Sequence, residues 1–396
     1  MLVLQSSGMI LHRTATPTVV AVFTAARSDL GPLGPVIEAL DAVPGVELVV
    51  VATGAHLLES RGNTITGIDV AAEQLEQIAV ELPDTDPRTI VSALGPIANG
   101  VADALVRRGV DVFVVLGDRW ELLAATSAAL ITGIPLAHLH GGELTSGAID
   151  DRIRHAVSKL SDLHCCASED SARRLRQIGE ADDRIIVTGA PGLDRHALVE
   201  TPTDGELSEI LGVTIERPLG LVTYHPETVD RGDVAERARL VLEGAAQRLG
   251  TMVVTYPGVD PGAEEVIRTI TDVASEYSNV AIRPHLGRGF SSVLAGIDVM
   301  IGNSSSGLWE AASFELPVVD VGDRQAGRLR PDNVIHCGND PGELSESMDE
   351  ALDPQFRAGI RGLINPYGDG RASARVVRAI VDLMHVPRPS KEFVDR

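Results

Sequence analysis

The stretch VDVFVVLGDRWELLAATSAALITGIPLAHLHGG, residues 110–142, decides the fold class. It begins with an apolar, β-branched run (110–117), continues with a helical pattern (120–132) and ends with a second apolar run (135–142). Apolar runs that alternate with helical segments are typical of α/β proteins with parallel sheets. Because the runs are almost continuously apolar, they predict a sheet that is covered on both faces.

The same alternation extends over most of the chain. Further strands are predicted in the first half at 19–25, 46–52, 163–168 and 184–190. Those of the second half are predicted at 219–225, 251–257, 279–284, 298–304 and 316–322. A polar, proline-containing stretch between the two series interrupts the pattern. The sequence therefore predicts an α/β fold with two doubly wound domains.

The predicted boundaries follow from these interruptions. We predict a variable N-terminal extension (1–17), a first domain (18–190) that carries the acid/base residues, a linker (191–217) and a second domain (218–368). The remaining residues, 369–396, form a predicted helix that packs back on the first domain, followed by a tail.

Composition excludes several classes of function. The chain has 34 Lys and Arg against 56 Asp and Glu, so its net charge of −22 disfavours a nucleic-acid partner. Only Lys159 and Lys391 are lysines, and they lie in a predicted helix and a polar tail. Schiff-base chemistry and a GxxxxGK phosphate loop both need a lysine in a catalytic loop, so neither is expected.

Cysteines and hydropathy indicate the compartment. The three cysteines, of which Cys165 and Cys166 are adjacent, fit neither a disulfide framework nor the spacing of a zinc site. The sequence has no basic leader before its first apolar element and no run of 18 apolar residues. We therefore expect a cytoplasmic protein that does not bind membranes.

Chemically useful side chains follow the predicted strands, where α/β proteins bind their ligands. Acid/base candidates and arginines follow the strands of the first half: Arg27, Ser28, Asp118, Arg119, His140, Glu143, Asp150 and Arg154. Phosphate-type donors and a carboxylate follow those of the second half: His225, Ser304, Ser305, Glu310 and Arg324. This division predicts acid/base chemistry in one domain and anion binding in the other.

Each candidate also has a purely structural interpretation. The loop GNSSSG (302–307) can bind phosphate at a helix start, yet a serine at such a turn is also a common N-cap. Asp118 can cap the helix that follows, and Asp150 can be a first-turn carboxylate paired with Arg154. His138 and His140 are separated by one residue at the end of a strand, and we expect at most one of them to face the site. The sequence contains no HExxH unit, and we expect no metal and no cofactor.

Several motifs together resemble the UDP-N-acetylglucosamine 2-epimerase family, in particular its hydrolysing, sialic-acid-type branch. The most specific are HGGE (140–143) with IDDRIRH (149–155), and GNSS (302–305) with GDRQAGR (322–328). YHPET (224–228) adds to them, and the match runs in order from about Val19 to Arg330.

The resemblance implies a fold like the GT-B glycosyltransferases, with two Rossmann-like domains and a cleft between them. It also implies anti elimination of UDP from UDP-GlcNAc to a 2-acetamidoglucal, followed by hydration to N-acetylmannosamine. The residues that match UDP-binding positions are Arg27, Arg119, His225, Ser304, Ser305, Glu310 and Arg324, with Ser28 beside them. Those assigned to catalysis are Asp118, His140, Glu143, Asp150 and Arg154. A homo-oligomer, dimer or tetramer, is expected.

Two positions depart from the family pattern. His140 stands where many members have glutamate, and an imidazole can take over acid/base work. Gly258 stands in YPG where FPN is common, which removes an amide that contacts the nucleotide. Three alternatives stay open: a non-hydrolysing epimerase that gives UDP-ManNAc, a GT-B glycosyltransferase, and a nucleotide-sugar-binding protein without catalysis.

Overall fold

The computed structural model describes residues 17–59, 63–82, 86–145, 149–226, 233–257, 262–384 and 391–395. These residues divide into two compact units. Unit 1 takes them from Met1–Gly142, Arg152–Gly192 and Ser373–Arg396, and unit 2 from Glu143–Asp151 and Leu193–Ala372. Residues 1–16 of the predicted extension lie outside the described ranges.

Unit 1 is built on a parallel sheet of seven described strands in the order β3-β2-β1-β4-β5-β6-β7. The strands are β1 (Thr18–Thr24), β2 (Val46–Thr53), β3 (Leu75–Ile78), β4 (Val112–Leu116), β5 (Leu136–Leu139), β6 (Leu163–Cys166) and β7 (Ile185–Val187). The helices are α1 (Arg27–Asp41), α2 (Pro87–Arg108), α3 (Glu121–Thr132), α4 (Ile149–Leu160), α5 (Glu169–Gln177) and, at the end of the chain, α13 (Ala372–Met384). The first residues of α4 and of α13 are assigned to unit 2.

Helices cover both faces of this sheet because alternate strand residues point to opposite sides. Ala21 and Phe23 of β1 pack in one cluster with Ile97 of α2. Val20 of β1 packs in the other with Ile380 of α13. Burial on both faces explains why the strands are almost continuously apolar.

Unit 2 repeats the plan with a parallel sheet of six described strands in the order β10-β9-β8-β11-β12-β13. The strands are β8 (Leu219–Thr223), β9 (Thr251–Thr255), β10 (Val280–Ile282), β11 (Val299–Gly302), β12 (Val318–Val321) and β13 (Val334–Cys337). The helices are α6 (Asp204–Leu211), α7 (Val234–Ala246), α8 (Ala263–Glu276), α9 (Phe290–Gly296), α10 (Ser305–Trp309), α11 (Pro341–Leu352) and α12 (Pro354–Gly359). Val254 packs with α7, α8 and α11 on one face, and Val253 packs with α6 and α9 on the other.

The predicted fold class is confirmed: two parallel sheets with interleaved helices form a two-domain α/β protein. The predicted strands are present, and β3 and β13 are additional. Both additional strands lie at a sheet edge, where one long side lacks a partner strand and a continuous apolar run is not required. The helix α1 begins at Arg27, directly after the loop that follows β1, and Pro32 lies inside it.

The sequence predicts no membrane span, and one helix, α2, needs to be compared with that prediction. Among the described helices, α2 has the length and apolar composition of a span. Its residues Ala93, Ile97, Val101 and Leu105 are nevertheless buried in the core of unit 1. These residues form one apolar stripe along α2, as in a helix that packs one side against a sheet.

The three cysteines are free thiols and are buried. Cys165 lies in β6, and burial raises its pKa. A thiol in such surroundings is protonated at neutral pH and is a poor nucleophile.

Candidate active site

Asp118 directly follows β4, at the carboxyl edge of the unit 1 sheet. It forms an ion pair with Arg154 of α4, whose side chain is 5% exposed, against 24% for Asp118. The capping alternative does not hold, since the N-cap of α3 is Trp120 rather than Asp118 and this end has no side-chain capping hydrogen bond. The ion pair requires the ionised carboxylate, which is the form that can accept a proton.

Arg119 and Glu121, which follow Asp118 in sequence, form a second ion pair. Arg119 Nη2 lies 3.0 Å from Oε1 of Glu121, a carboxyl that is 2% exposed at the start of α3. Burial raises the pKa of Glu121, and Arg119 opposes this shift. Glu121 was not predicted as a site residue. The sequence signal for Glu121 is the pattern DRWE (118–121), in which an acid follows the arginine by two positions.

His138 connects the strand β5 to the loop before Asp118. Burial lowers the pKa of His138 to about 3, so its ring is neutral. Its Nε2–H donates to the carbonyl oxygen of Gly117 (2.8 Å), and its Nδ1 therefore accepts from the hydroxyl of Ser158 (3.1 Å). Of His138 and His140, the first thus has a structural role.

His140 lies in the turn after β5, with a buried side chain and a positive φ of 62°. Its backbone N–H donates to the carbonyl oxygen of Cys165 (3.0 Å). A non-glycine residue in this region is strained by about 1–3 kcal/mol, and such strain often occurs at functional sites. Gly142 completes the turn with a φ of 78°, and a Cβ there would lie 2.2 Å from the backbone oxygen of Ser171.

The predicted ligands Arg27 and Ser28 occupy the first turn of α1 and are exposed. The buried carboxylate of Asp29 holds this turn, because Oδ2 accepts from the backbone N–H groups of Ala25 (2.9 Å) and Ala26 (3.0 Å). Asp29, which is not among the predicted site residues, therefore fixes the backbone at the start of α1.

Glu143 and Asp150 belong to the segment 143–151, which is assigned to unit 2. Both side chains are partly exposed. Asp150 lies in the first turn of α4, one turn before Arg154 on the same helix face. The neighbouring Asp151 instead accepts from the backbone N–H of Thr145 (2.8 Å).

In unit 2, the buried amide of Asn303 connects the loops after β8 and β11. Its Oδ1 accepts from the backbone N–H of His225 (2.7 Å), and its Nδ2 donates to the His225 carbonyl oxygen (2.9 Å). Arg324 Nη1 (3.1 Å) and Gln325 Nε2 (2.8 Å), which follow β12, donate to the backbone oxygen of Asn303. The structure thus brings His225, Arg324 and the serine loop together at one sheet edge.

The serine loop has features of both predicted interpretations. Ser304 is the N-cap of α10, and its Oγ accepts from the N–H of Ser306 (3.4 Å). Ser305 begins α10, a helix of five residues whose dipole is correspondingly small. Gly302 has a φ of 130°, and a Cβ there would lie 2.0 Å from the Thr223 backbone oxygen, so β11 must end in glycine.

Glu310 matches a UDP-binding position, and its Oε1 lies 3.1 Å from Nε2 of His196. His196 is buried and packs edge-on against Phe314. The histidine, which was not predicted, therefore fixes the orientation of Glu310.

Among the described residues, no cluster of three or more His, Cys, Asp or Glu has the arrangement of a metal site. Gly258, the second departure from the family pattern, lies outside the described residues.

Residues 38–381 match the sequence model of the UDP-N-acetylglucosamine 2-epimerase family. This chain belongs to that family. The resemblance seen in the motifs is therefore confirmed, and the protein is an enzyme of the UDP-GlcNAc 2-epimerase family.

Two relatives of this epimerase are named as hydrolysing enzymes. The UDP-N,N'-diacetylbacillosamine 2-epimerase (hydrolyzing) of Legionella pneumophila is 36% identical over 357 residues, which cover 89% of this chain and 92% of that protein. The GDP/UDP-N,N'-diacetylbacillosamine 2-epimerase (hydrolyzing) of Campylobacter jejuni is 30% identical over 315 residues, 79% of this chain and 82% of that protein.

Solved structures share the fold of the epimerase. The UDP-GlcNAc 2-epimerase of Neisseria meningitidis, bound to UDP-GlcNAc, has a TM-score of 0.71 at 22% identity and covers 92% of this chain and 100% of its own. The enzyme of Methanocaldococcus jannaschii has a TM-score of 0.69 at 17% identity and covers 92% of this chain and 100% of its own.

Proposed function

We propose that this epimerase is hydrolysing and acts on a UDP-linked 2-acetamido sugar, either UDP-GlcNAc or a diacetylated relative such as UDP-diacetylbacillosamine. A base removes the proton on C2, the C1–O bond breaks and UDP leaves, which gives a 2-acetamidoglucal. Water then adds its hydroxyl to C1 and a proton returns to C2 from the opposite face. The products are UDP and the free 2-epimeric sugar.

The ion pair of Asp118 with Arg154 carries the catalytic part of this proposal. A carboxylate near the end of a central strand suits a base, and the ion pair with Arg154 fixes its orientation. Because the C2 proton is weakly acidic, its removal must be coupled to the departure of UDP. We assign His140, Glu143 and Asp150 to the acid/base work on the same sugar.

The UDP part rests on the loops that Asn303 joins. We assign His225, Ser304, Ser305 and Arg324 to the diphosphate and Glu310 to the ribose, with Arg27, Ser28 and Arg119 as further ligands. Arginine side chains suit this role because their planar groups bind phosphate oxygens in pairs and stabilise the leaving diphosphate. The hydrolysing outcome is supported by the similarity to the Legionella and Campylobacter enzymes. We further propose a cytoplasmic homo-oligomer.

Incubation with UDP-GlcNAc or UDP-diacetylbacillosamine in D2O tests the reaction. We expect free UDP and a free reducing sugar that carries one deuterium at C2. ¹H and ³¹P NMR spectra detect these products. The Asp118→Asn variant is the matched blank, because it should bind UDP without turnover.

Each alternative gives a different spectrum. A UDP-linked epimer with deuterium at C2 and no free sugar would assign the enzyme to the non-hydrolysing type. Transfer of the sugar to an acceptor without deuterium at C2 would indicate a glycosyltransferase. UDP binding without any change of either substrate would contradict the proposed reaction.

Replacement of Arg324 by glutamine should weaken UDP binding by about tenfold or more, since a hydrogen bond to a charged group contributes roughly 1.5–3 kcal/mol. Titration calorimetry with UDP measures this directly. Arg268→Gln, the same charge change at an exposed position of α8, is the control and should bind UDP normally. Equal affinity of the two variants would remove Arg324 from the UDP site.

A further inference from the structure

The lysines of the chain, Lys159 and Lys391, share one partner. Lys159 Nζ lies 2.7 Å from Oε1 of Glu180, and Lys391 Nζ lies 2.8 Å from Oε2. The Glu180 side chain is fully buried, and Nε2 of the buried His164 lies 2.9 Å from Oε2. Burial alone would raise the pKa of Glu180, but hydrogen bonds from His164 and the lysines outweigh it and lower the pKa to about 2. The carboxylate is therefore a fixed anion in the core of unit 1.

Lys391 does more than pair with Glu180. Its ammonium group also donates to the backbone oxygens of Ser158 (3.1 Å), Lys159 (2.8 Å) and Ser161 (2.6 Å), which end α4. The last carbonyls of a helix have no partner within it, and a cation there is favourable for the helix dipole. Lys391 therefore closes the C-terminal end of α4 and fixes it to Glu180.

Further contacts hold this part of the C-terminal tail on unit 1. The backbone N–H of Val394 donates to the Gly179 oxygen (3.1 Å). The ring of Phe393 covers Gly179, where an added Cβ would lie 2.4 Å from it, and the ammonium of Lys159 lies 5.0 Å from its centroid. Residues 391–395, which we call the tail anchor, are thus held at several points.

The helix α4, whose C-terminal end Lys391 contacts, is connected to the candidate active site through two sets of contacts. Six residues before its last residue, Leu160, α4 carries Arg154, the partner of Asp118. The second set of contacts passes through Ser158, whose hydroxyl bonds to His138, which in turn donates to the oxygen of Gly117, directly before Asp118. A shift of the end of α4 moves both supports of Asp118 together.

We propose that Lys391 is a positioning residue for catalysis, because it fixes the end of α4 and through Arg154 and Ser158 sets the orientation of Asp118. The inference rests on the proposed function of Asp118, but the tail anchor itself is independent of it. Lys391 lies far along the sequence from the motifs of the site, in a polar tail that local patterns do not connect with catalysis.

The lysine pair supplies a matched comparison. Lys391→Met and Lys159→Met each remove one cation from Glu180, but only the first removes the donor to the end of α4. We expect kcat of Lys391→Met to fall about tenfold, because small misplacements of a catalytic group are costly, with KM changed less than twofold. Lys159→Met should retain normal kcat, and both variants should melt at a lower temperature than the wild type.

A second readout does not depend on turnover. The Nε2 proton of His138, held by the Gly117 oxygen, should give a slowly exchanging signal in histidine-labelled ¹⁵N NMR spectra. Lys391→Met should shift or broaden this signal, and Lys159→Met should leave it in place. If Lys391→Met does not fold, Phe393→Ala, which loosens the tail anchor but keeps Lys391, should produce the same changes to a smaller degree.

The outcomes separate the two proposals. Equal kcat in Lys391→Met and Lys159→Met, or an unchanged His138 signal in Lys391→Met, would overturn the role of Lys391. A wild-type protein that turns over no UDP sugar, with the His138 signal sensitive only to Lys391, would instead overturn the proposed function and retain the link between the tail anchor and the site.

Discussion

The Asp118→Asn enzyme should turn over about 10²-fold more slowly than the wild type, or slower still, while its UDP affinity changes little. Asparagine keeps the size and much of the hydrogen bonding of Asp118 but cannot accept the C2 proton, and a general base contributes roughly 10²–10⁴-fold. Single-turnover rates with the UDP sugar measure the chemical step, and calorimetry with UDP measures binding.

A matched aspartate provides the control. Asp111 lies just before β4, at the opposite end of the strand that leads to Asp118, and Oδ2 accepts from the Val19 N–H (2.9 Å). Asp111→Asn makes the same chemical change away from the carboxyl edge and should retain normal turnover. Near-normal turnover of Asp118→Asn would make Asp118 a structural residue.

Loss of stability must be separated from loss of the base. Asp118→Asn leaves the buried guanidinium of Arg154 without its carboxylate, which can cost several kcal/mol. The double variant Asp118→Asn/Arg154→Met removes the buried charge as well and should recover much of the lost melting temperature. Its turnover should stay low, because the base is still absent. Recovery of turnover in the double variant would contradict the assignment.

The sequence was sufficient to predict the fold because burial on both faces of a parallel sheet produces continuous apolar runs. The central strands β1, β4 and β8 satisfy this condition. β3 has the sequence LEQI and lies at an edge, so its pattern is too short and too polar to be recognised. The start of α6 could also be predicted from the sequence, because Thr203 and Glu206 form a capping box there.

The strand-end rule selected Asp118, Arg119, His225 and Arg324, because parallel strands place their carboxyl ends along one edge. It placed Asn303 in the serine loop but did not predict that its amide joins loops 78 residues apart in sequence. Nor did it select Lys391, which contacts backbone oxygens more than 200 residues away. Such contacts depend on tertiary packing, and local spacing carries no information about them.

His140 should prove essential for turnover, with glutamate as the substitute that best preserves activity. The residue combines a buried side chain with a φ of 62°, and a backbone in this region tolerates asparagine and glycine better than longer side chains. His140→Asn and His140→Gly therefore test the side chain with the least added strain. Both should lose turnover by about 10²-fold, since neither can exchange a proton with the sugar. His140→Glu, which restores the residue common in the family, should retain much more activity despite its strain.

Melting temperature separates acid/base work from bracing of the turn. Glycine relieves the strain at His140, so His140→Gly should melt no lower than His140→Glu if the imidazole does not brace the structure. With an acid/base role, the stable glycine variant is the inactive one and the less stable glutamate variant is the active one. If the imidazole instead stabilises the turn, the reverse is expected: activity follows melting temperature across the asparagine, glycine and glutamate variants. The chemical step would then be assigned to Asp118 without His140.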